Sequence, residues 1–267
     1  MGRSGGLRIV SRRACRRIGA LLLFVSALSI TGVATAAAAA PPFGTLLTPY
    51  QATYRLRQGP ITLARATFSL RKASDQDEWE LTSLTETQGW LSTVRADRIE
   101  ETSRFRIQGD RLLPLHYQMR HEAPGETKTE TANFNWPARR VTGAVDRSPF
   151  DLRLPEHTYD RLSLQVLVRA AALRDISPIR IRMLEKNKIK PIRFESTAAI
   201  ETLETPAGRF ETLRMTQLDS KKPMTFWLAP QAHYLPVRVE QDRGSLHLKL
   251  ELEALKMGPA SVTPAAR

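Results

Sequence analysis

The residues able to do chemistry are scattered along this chain, and few are spaced for it. Its five histidines, His116, His121, His157, His233 and His247, contain no His-x-His or His-x-x-x-His pair, the local spacings that set two imidazoles toward one metal. The single cysteine, Cys15, leaves the remaining chain without a thiol, which excludes disulfides, thiolate nucleophiles and cysteine-ligated metals there. After residue 40 there is no Gly-x-Ser-x-Gly elbow for a serine nucleophile and no glycine-rich phosphate loop. Asp75, Asp77, Glu78, Glu100, Glu101, Glu185 and Glu195 fall in turns or on polar strand faces. A glycosidase-type carboxylate pair is defined by separation in space, so spacing alone does not supply one. The expectation is a protein with no catalytic residue, no metal site and no cofactor.

What remains is binding chemistry, aromatic and basic. Trp79, Trp90, Trp136 and Trp227 either pack a core or line a cavity, and Trp90, Trp136 and Trp227 with Leu167 are the candidate ligand-binding residues. A basic run, Arg180, Arg182, Lys186, Lys188, Lys190 and Arg193, brackets a hairpin turn at Lys186-Asn187-Lys188. Lysines at such a place either guard a sheet edge or touch an anionic surface. For the second role the candidates are Arg180, Arg182, Lys186, Lys188 and Lys190.

The elements that must carry these side chains are mostly strands. Tyr50, Ala52, Tyr54 and Leu56 alternate with polar neighbours, and so do Ala64, Ala66, Phe68 and Leu70. The same holds for Leu115, Tyr117 and Met119, for Ala132, Phe134 and Trp136, and for Leu246, Leu248, Leu250 and Leu252. Period-two alternation gives strands with one dry and one wet face. About a dozen are separated by turn signals such as Gln58-Gly59-Pro60, Gly109-Asp110 and Pro206-Ala207-Gly208.

One segment has a different period. Between Asp160 and Arg174, Leu162, Val166 and Leu173 share a helical face flanked by Leu164, Leu167, Val168 and Ala171. Thr158 or Asp160 can cap its start, and Ser177-Pro178 stops it. So wide an apolar surface has to be covered. The expected fold is mainly β, one large curved antiparallel sheet, an open half-barrel, wrapped on a single helix near 160–174. On either side of that helix an aromatic strand turns over and re-enters at Leu-Pro: Phe105 to Leu113-Pro114-Leu115, and Trp227 to Leu235-Pro236-Val237.

The start of the chain is of another kind. Arg3, Arg8, Arg12, Arg13, Arg16 and Arg17 precede an apolar run from Ile18 to Val33, which ends in Ala34-Thr35-Ala36 and further alanines. This is the pattern of a secretory signal peptide over 1–36, cleaved between 36 and 40, and it implies export to the periplasm of a Gram-negative envelope. A single β-rich domain at 41–257 and a flexible tail at 258–267 follow. The formal charge is +13; the leader carries six arginines and no acid, so 13 − 6 leaves +7 for the rest. No later segment has the roughly twenty apolar residues a membrane span needs.

Several motifs together resemble the exported bacterial domain-of-unknown-function family 3108. They are Tyr50-x-Ala-x-Tyr54, Leu113-Pro114, Asp160-x-x-Ser163 and Glu201-x-Leu203-x-Thr205-Pro206-Ala207-Gly208-x-Phe210-x-Thr212. The last is Phe226-Trp227-Leu228-Ala229-Pro230 followed by Tyr234-Leu235-Pro236-Val237. The strand order and final hairpin are also similar to the periplasmic lipoprotein-carrier half-barrels, whose resemblance implies an apolar cavity between sheet and helix. Fold likeness does not by itself transfer function. The expected function is a non-catalytic carrier or binding protein for an amphiphile or acyl chain in the cell envelope. The alternative is an assembly or scaffolding factor that binds another envelope protein through a sheet edge. Neither reading calls for nucleic acid.

Overall fold

A computed structural model of the chain describes residues 43, 47–73, 77–89, 91–94, 96–218, 220–243 and 246–258. All of them belong to one compact unit, 40–267. The expected leader and its cleavage region, Trp90 and the tail after residue 258 lie outside the described residues.

Alternation becomes one fifteen-stranded sheet. Its first half is β1 (Tyr50–Gln58), β2 (Ile61–Lys72), β3 (Glu78–Thr87), β4 (Arg98–Gln108), β5 (Arg111–Ala123), β6 (Glu126–Asn135), β7 (Arg140–Val145) and β8 (Ser148–Arg153). A one-turn helix, α1 (Leu91–Val94), lies between β3 and β4. The second half is β9 (Thr158–Tyr159), β10 (Ile179–Glu185), β11 (Lys188–Thr205), β12 (Gly208–Leu218), β13 (Met224–Ala229), β14 (Leu235–Arg243) and β15 (Leu246–Met257). Between β9 and β10 runs the long helix α2 (Arg161–Leu173), one residue inside each expected boundary.

From β1 to β8 and from β10 to β15 each strand pairs antiparallel with the next in the chain, and β1 pairs with β15, which joins the halves in mid-sheet. Only β9 and β10 run parallel. The two edges, β8 and β9, are consecutive in sequence yet unpaired, so the sheet stays an open half-barrel. The curvature has local causes, because bulges interrupt the register at Thr53/Tyr54, Leu56/Arg57, Arg104/Phe105, Ser196/Ile200 and Trp227/Leu228. An extra residue in one strand bends and twists that strand.

Two of these bulges sit at the repeated Leu-Pro. Phe105 faces Pro114 while Arg104 faces His116, so Leu115 is the extra residue; Leu228 faces Pro236 while Trp227 faces Arg238, so Val237 is. Proline donates no ladder hydrogen bond and is tolerated at a bulge. Pro114 is thus the fourth residue of its strand, not a strand opener. Leu115 leaves the dry face, which Leu112, Pro114, Tyr117 and Met119 occupy instead.

The core lies between the concave face of the sheet and α2. Tyr54 meets Phe68 edge to face at 5.4 Å, and Leu70, Leu81, Phe105, Phe194 and Phe226 are buried around the helix. Leu162, Leu164, Val166, Val168 and Ala170 to Ala172 are buried in turn, so α2 is covered over most of its circumference. It packs on β3, β4 and β5 on one side and on β9 and β10 on the other.

A candidate ligand-binding recess

What positions α2 is polar. Asp160, fully buried, accepts from the backbone N–H groups of Leu162 and Ser163 at 2.9 Å and from Ser103 Oγ at 2.8 Å. Ser163 Oγ accepts the Asp160 N–H in return at 3.0 Å, closing a capping box. The Asp160-x-x-Ser163 spacing is therefore the start of the helix and its attachment to β4. Burial raises the Asp160 carboxyl above its ordinary value, and the hydrogen bonds from Ser163, Ser103 and Leu162 oppose that rise.

The next residue extends the attachment. Arg161 donates to the Tyr117 hydroxyl at 2.6 Å and pairs with Glu101 at 3.1 Å and Glu130 at 3.5 Å. Tyr117 donates to Glu101 at 2.6 Å. Desolvation raises the Glu130 carboxyl, with Arg161 pulling the other way, and burial likewise pushes the Tyr117 hydroxyl up. Glu101, expected on a wet face, is on the concave side: it pairs with Ser83 and Met119, whose neighbours Leu81, Ser103 and Tyr117 are core residues. A strand's sidedness is set by its partners, and Arg161 makes an acid tolerable there.

One turn beyond Arg161, the packing of helix on sheet is incomplete. Leu164 of α2, Met183, Ile192 and Phe194 of the β10–β11 hairpin, and Met224 of β13 enclose the apolar part of a recess of about 570 Å³. Phe194 is 1 % exposed and leans on Phe226 at 5.8 Å. Polar groups form the rim: Glu185 and Lys190, paired at 2.6 Å, with Gln217, Ser220, Lys222, Gln241 and Asp242. Small-molecule sites are concave and mostly apolar with a few polar groups, at roughly 300–1,000 Å³. The recess falls in that range of volume, and apolar and polar side chains share its lining about equally.

The residues singled out from sequence fall elsewhere, with one exception. Leu167 is half-buried against the core and does not line the recess. Trp136 lines a different hollow of about 650 Å³, where β5 and β6 splay apart past His116, and its indole N–H satisfies the Pro114 carbonyl at 2.7 Å. Trp227 is on the convex face, between Arg214 and Arg238 in the register, with its N–H on Glu201 at 2.9 Å and the Arg238 guanidinium 6.0 Å from its ring. Of the basic run, Lys190 borders the recess and Arg182 and Lys188 line a neighbouring hollow. Lys186 acts on Glu130 electrostatically, and Arg180 is exposed opposite Arg193. The hairpin turn itself is as expected, Lys186 adopting a left-handed conformation with φ 56°.

The recess is not visible in the sequence because its walls come from distant segments. The one available signal was the pair of apolar rows Ile179, Ile181, Met183 and Ile192, Phe194 flanking the hairpin, more than a guarded edge strand needs. Among the described residues no three His, Cys, Asp or Glu side chains are grouped to hold a metal ion. Nor is any helix long and apolar enough to cross a membrane.

The sequence pattern of the family DUF3108, protein of unknown function, matches residues 50–253. The chain belongs to that family. The match starts at β1 and ends inside β15, so the family pattern spans both halves of the sheet and the helix between them. No curated protein matches the chain significantly. Among solved structures, a beta-barrel-like protein of domain of unknown function DUF1849 from Brucella abortus is similar, with a TM-score of 0.54 at 11 % identity. The likeness covers 79 % of this chain and 98 % of that one, and at such identity it concerns the fold alone.

Proposed function

We propose that this DUF3108 protein is a non-catalytic binding or carrier protein of the periplasm, and that it takes the acyl chain of an amphiphile into the recess beside α2. The observation that carries the reading is the pairing of an apolar floor, Leu164, Ile192, Phe194 and Met224, with a charged rim at Lys190 and Lys222. Each methylene buried there contributes about 0.8 kcal/mol. The rim carboxylates Glu185 and Asp242 are engaged with Lys190 and His247, and Glu101 and Glu130 beside the helix with Arg161 and Tyr117, which suits structural pairing better than acid-base chemistry. The arginine-rich, alanine-terminated start of the chain supports export.

Scaffolding by strand addition has less support. Edge strand β8 carries Pro149 and the Arg140–Asp151 pair, and the other edge, β9, has two residues. Both are devices that discourage pairing with another chain. The test is titration with a dansyl-labelled undecanoic acid. Saturable binding is expected, weakened at least about tenfold by Met224→Trp with unchanged melting. A folded protein that shows no saturable binding, or a Met224→Trp variant that binds as well as wild type, would overturn the reading.

A further inference from the structure

The seam between the two sheet edges holds chemistry that the recess does not use. Arg139, in the turn before β7, Arg153, at the end of β8, and Arg182, on β10, line one hollow of about 490 Å³ together with Leu154, Pro155 and Glu156. All three arginines are exposed. Glu156 is the one carboxylate among the lining residues, and it pairs with Arg139 at 2.9 Å. Arg182 donates to the backbone oxygen of Glu156 at 3.2 Å, an uncharged acceptor. The Arg153 side chain has neither a hydrogen bond nor an ion pair among the described residues, and it stands across the ladder from another arginine, Arg140, whose own charge is met by Asp151. Three guanidinium groups thus share one carboxylate, and like charges placed together repel.

We propose that this seam is a binding site for a phosphate group, with Arg153 and Arg182 as its two forks. A guanidinium offers parallel N–H donors that match two oxygens of one anion. A carboxylate has two oxygens and saturates one such fork. A phosphate ester presents three free oxygens and close to two charges, enough to bridge two guanidinium groups. A second hollow of about 540 Å³ shares Arg153, Pro155 and Arg182 and adds Lys188 and Lys190 beside Leu152 and Ile189, so the phosphate has room to belong to a larger, partly apolar molecule. The site does not depend on the recess being occupied.

The probes are inorganic phosphate, followed by calorimetry, and vesicles of phosphatidylglycerol against phosphatidylcholine, followed by co-sedimentation. Phosphate is expected to bind with a dissociation constant of about 1 mM or tighter, and acetate at least about tenfold more weakly. Replacing both forks, Arg153→Gln with Arg182→Gln, should weaken phosphate binding by about tenfold or more at unchanged melting temperature, because both side chains are exposed. Arg182→Lys should restore the charge without the fork and recover only part of the affinity. Binding to phosphatidylglycerol vesicles with the same dependence on the two arginines names a lipid head group as the source. Phosphate binding without vesicle binding names a soluble phosphoester. If neither probe binds saturably, or if the double variant binds both as wild type does, the proposal fails.

Discussion

At its first turn α2 sets a buried Asp160 and a two-thirds-covered Arg161 against the sheet; little more than two turns later it buries Arg169, and the surroundings of these charges differ. Asp160 meets two backbone donors and a serine hydroxyl, and Arg161 meets a tyrosine hydroxyl and two carboxylates. Arg169 is 5 % exposed, donates to the His233 carbonyl at 3.1 Å, and lies 5.0 Å over the Tyr50 ring. Its Nε and Nη1 have no partner. The first site is a connected network, where removing any member strands the others. The second is a single cation held by a ring face and one carbonyl beside the buried Tyr50 hydroxyl, and fewer groups depend on it. Buried charge therefore fixes the helix at one end and costs stability at the other.

The largest effect follows from breaking the network at its centre. Asp160→Ala removes a cap and leaves Ser103 Oγ and two helix N–H groups buried without acceptors, a loss of about 3 kcal/mol. Urea unfolding measures it; a loss under about 1 kcal/mol would mean that water reaches the cap. Arg161→Met comes next. It leaves Glu101 and Glu130 facing each other without a cation, but Arg161 is a third exposed and solvent screens part of the interaction, so about 2 kcal/mol is expected.

Arg169→Met tests the other side of the comparison. The swap keeps the length of the side chain, gives up one hydrogen bond and a cation–π contact worth about 1 kcal/mol, and removes a charge with two unmet donors. We expect stability between unchanged and about 1 kcal/mol higher. A loss as large as that of Arg161→Met would show that Arg169 has a partner in solution and that the two ends of the helix are alike.

Of this arrangement, the helix and its cap were legible in the sequence, because Asp160, Ser163 and the apolar stripe are local to one another. Legible too was the dry face of Tyr50, Ala52 and Tyr54, since alternation needs no knowledge of the partner strand. What was not legible depends on register. The bulges at Leu115 and Val237 shift which residues face inward, and nothing within one strand announces an extra residue opposite its neighbour. That is why spacing alone puts Leu115 on the wrong face; Glu101 shares the parity of Ser103, Phe105 and Ile107 in its own strand, and only its charge points to solvent. The recess and the seam are harder still. Leu164 and Met224, like Arg153 and Arg182, come together only when the sheet curls, and no spacing encodes that.

The smallest effect is a slope in pH rather than a loss, and it bears on whether the network at the first turn is wholly favourable. Burial raises the Glu130 carboxyl above its ordinary 4.5 despite Arg161, and raises Asp160 above 3.8 despite its donors. For an acid whose folded value is raised, the folded state holds more protons than the unfolded state between the two values. The associated stability is present in full below the ordinary value and is lost as pH rises through the folded one. Asp151 on the convex face has the opposite sign: its bond with Arg140 lowers its value, so its contribution is lost as pH falls. Wild-type stability should therefore fall as pH rises from 4.5, and Glu130→Gln, which cannot titrate, should flatten that fall whatever it does to the absolute level. Urea midpoints between about pH 4 and 7 measure the slope. Identical slopes in the two proteins would mean that the field of Arg161 offsets burial in full, and the network would then be favourable at every member.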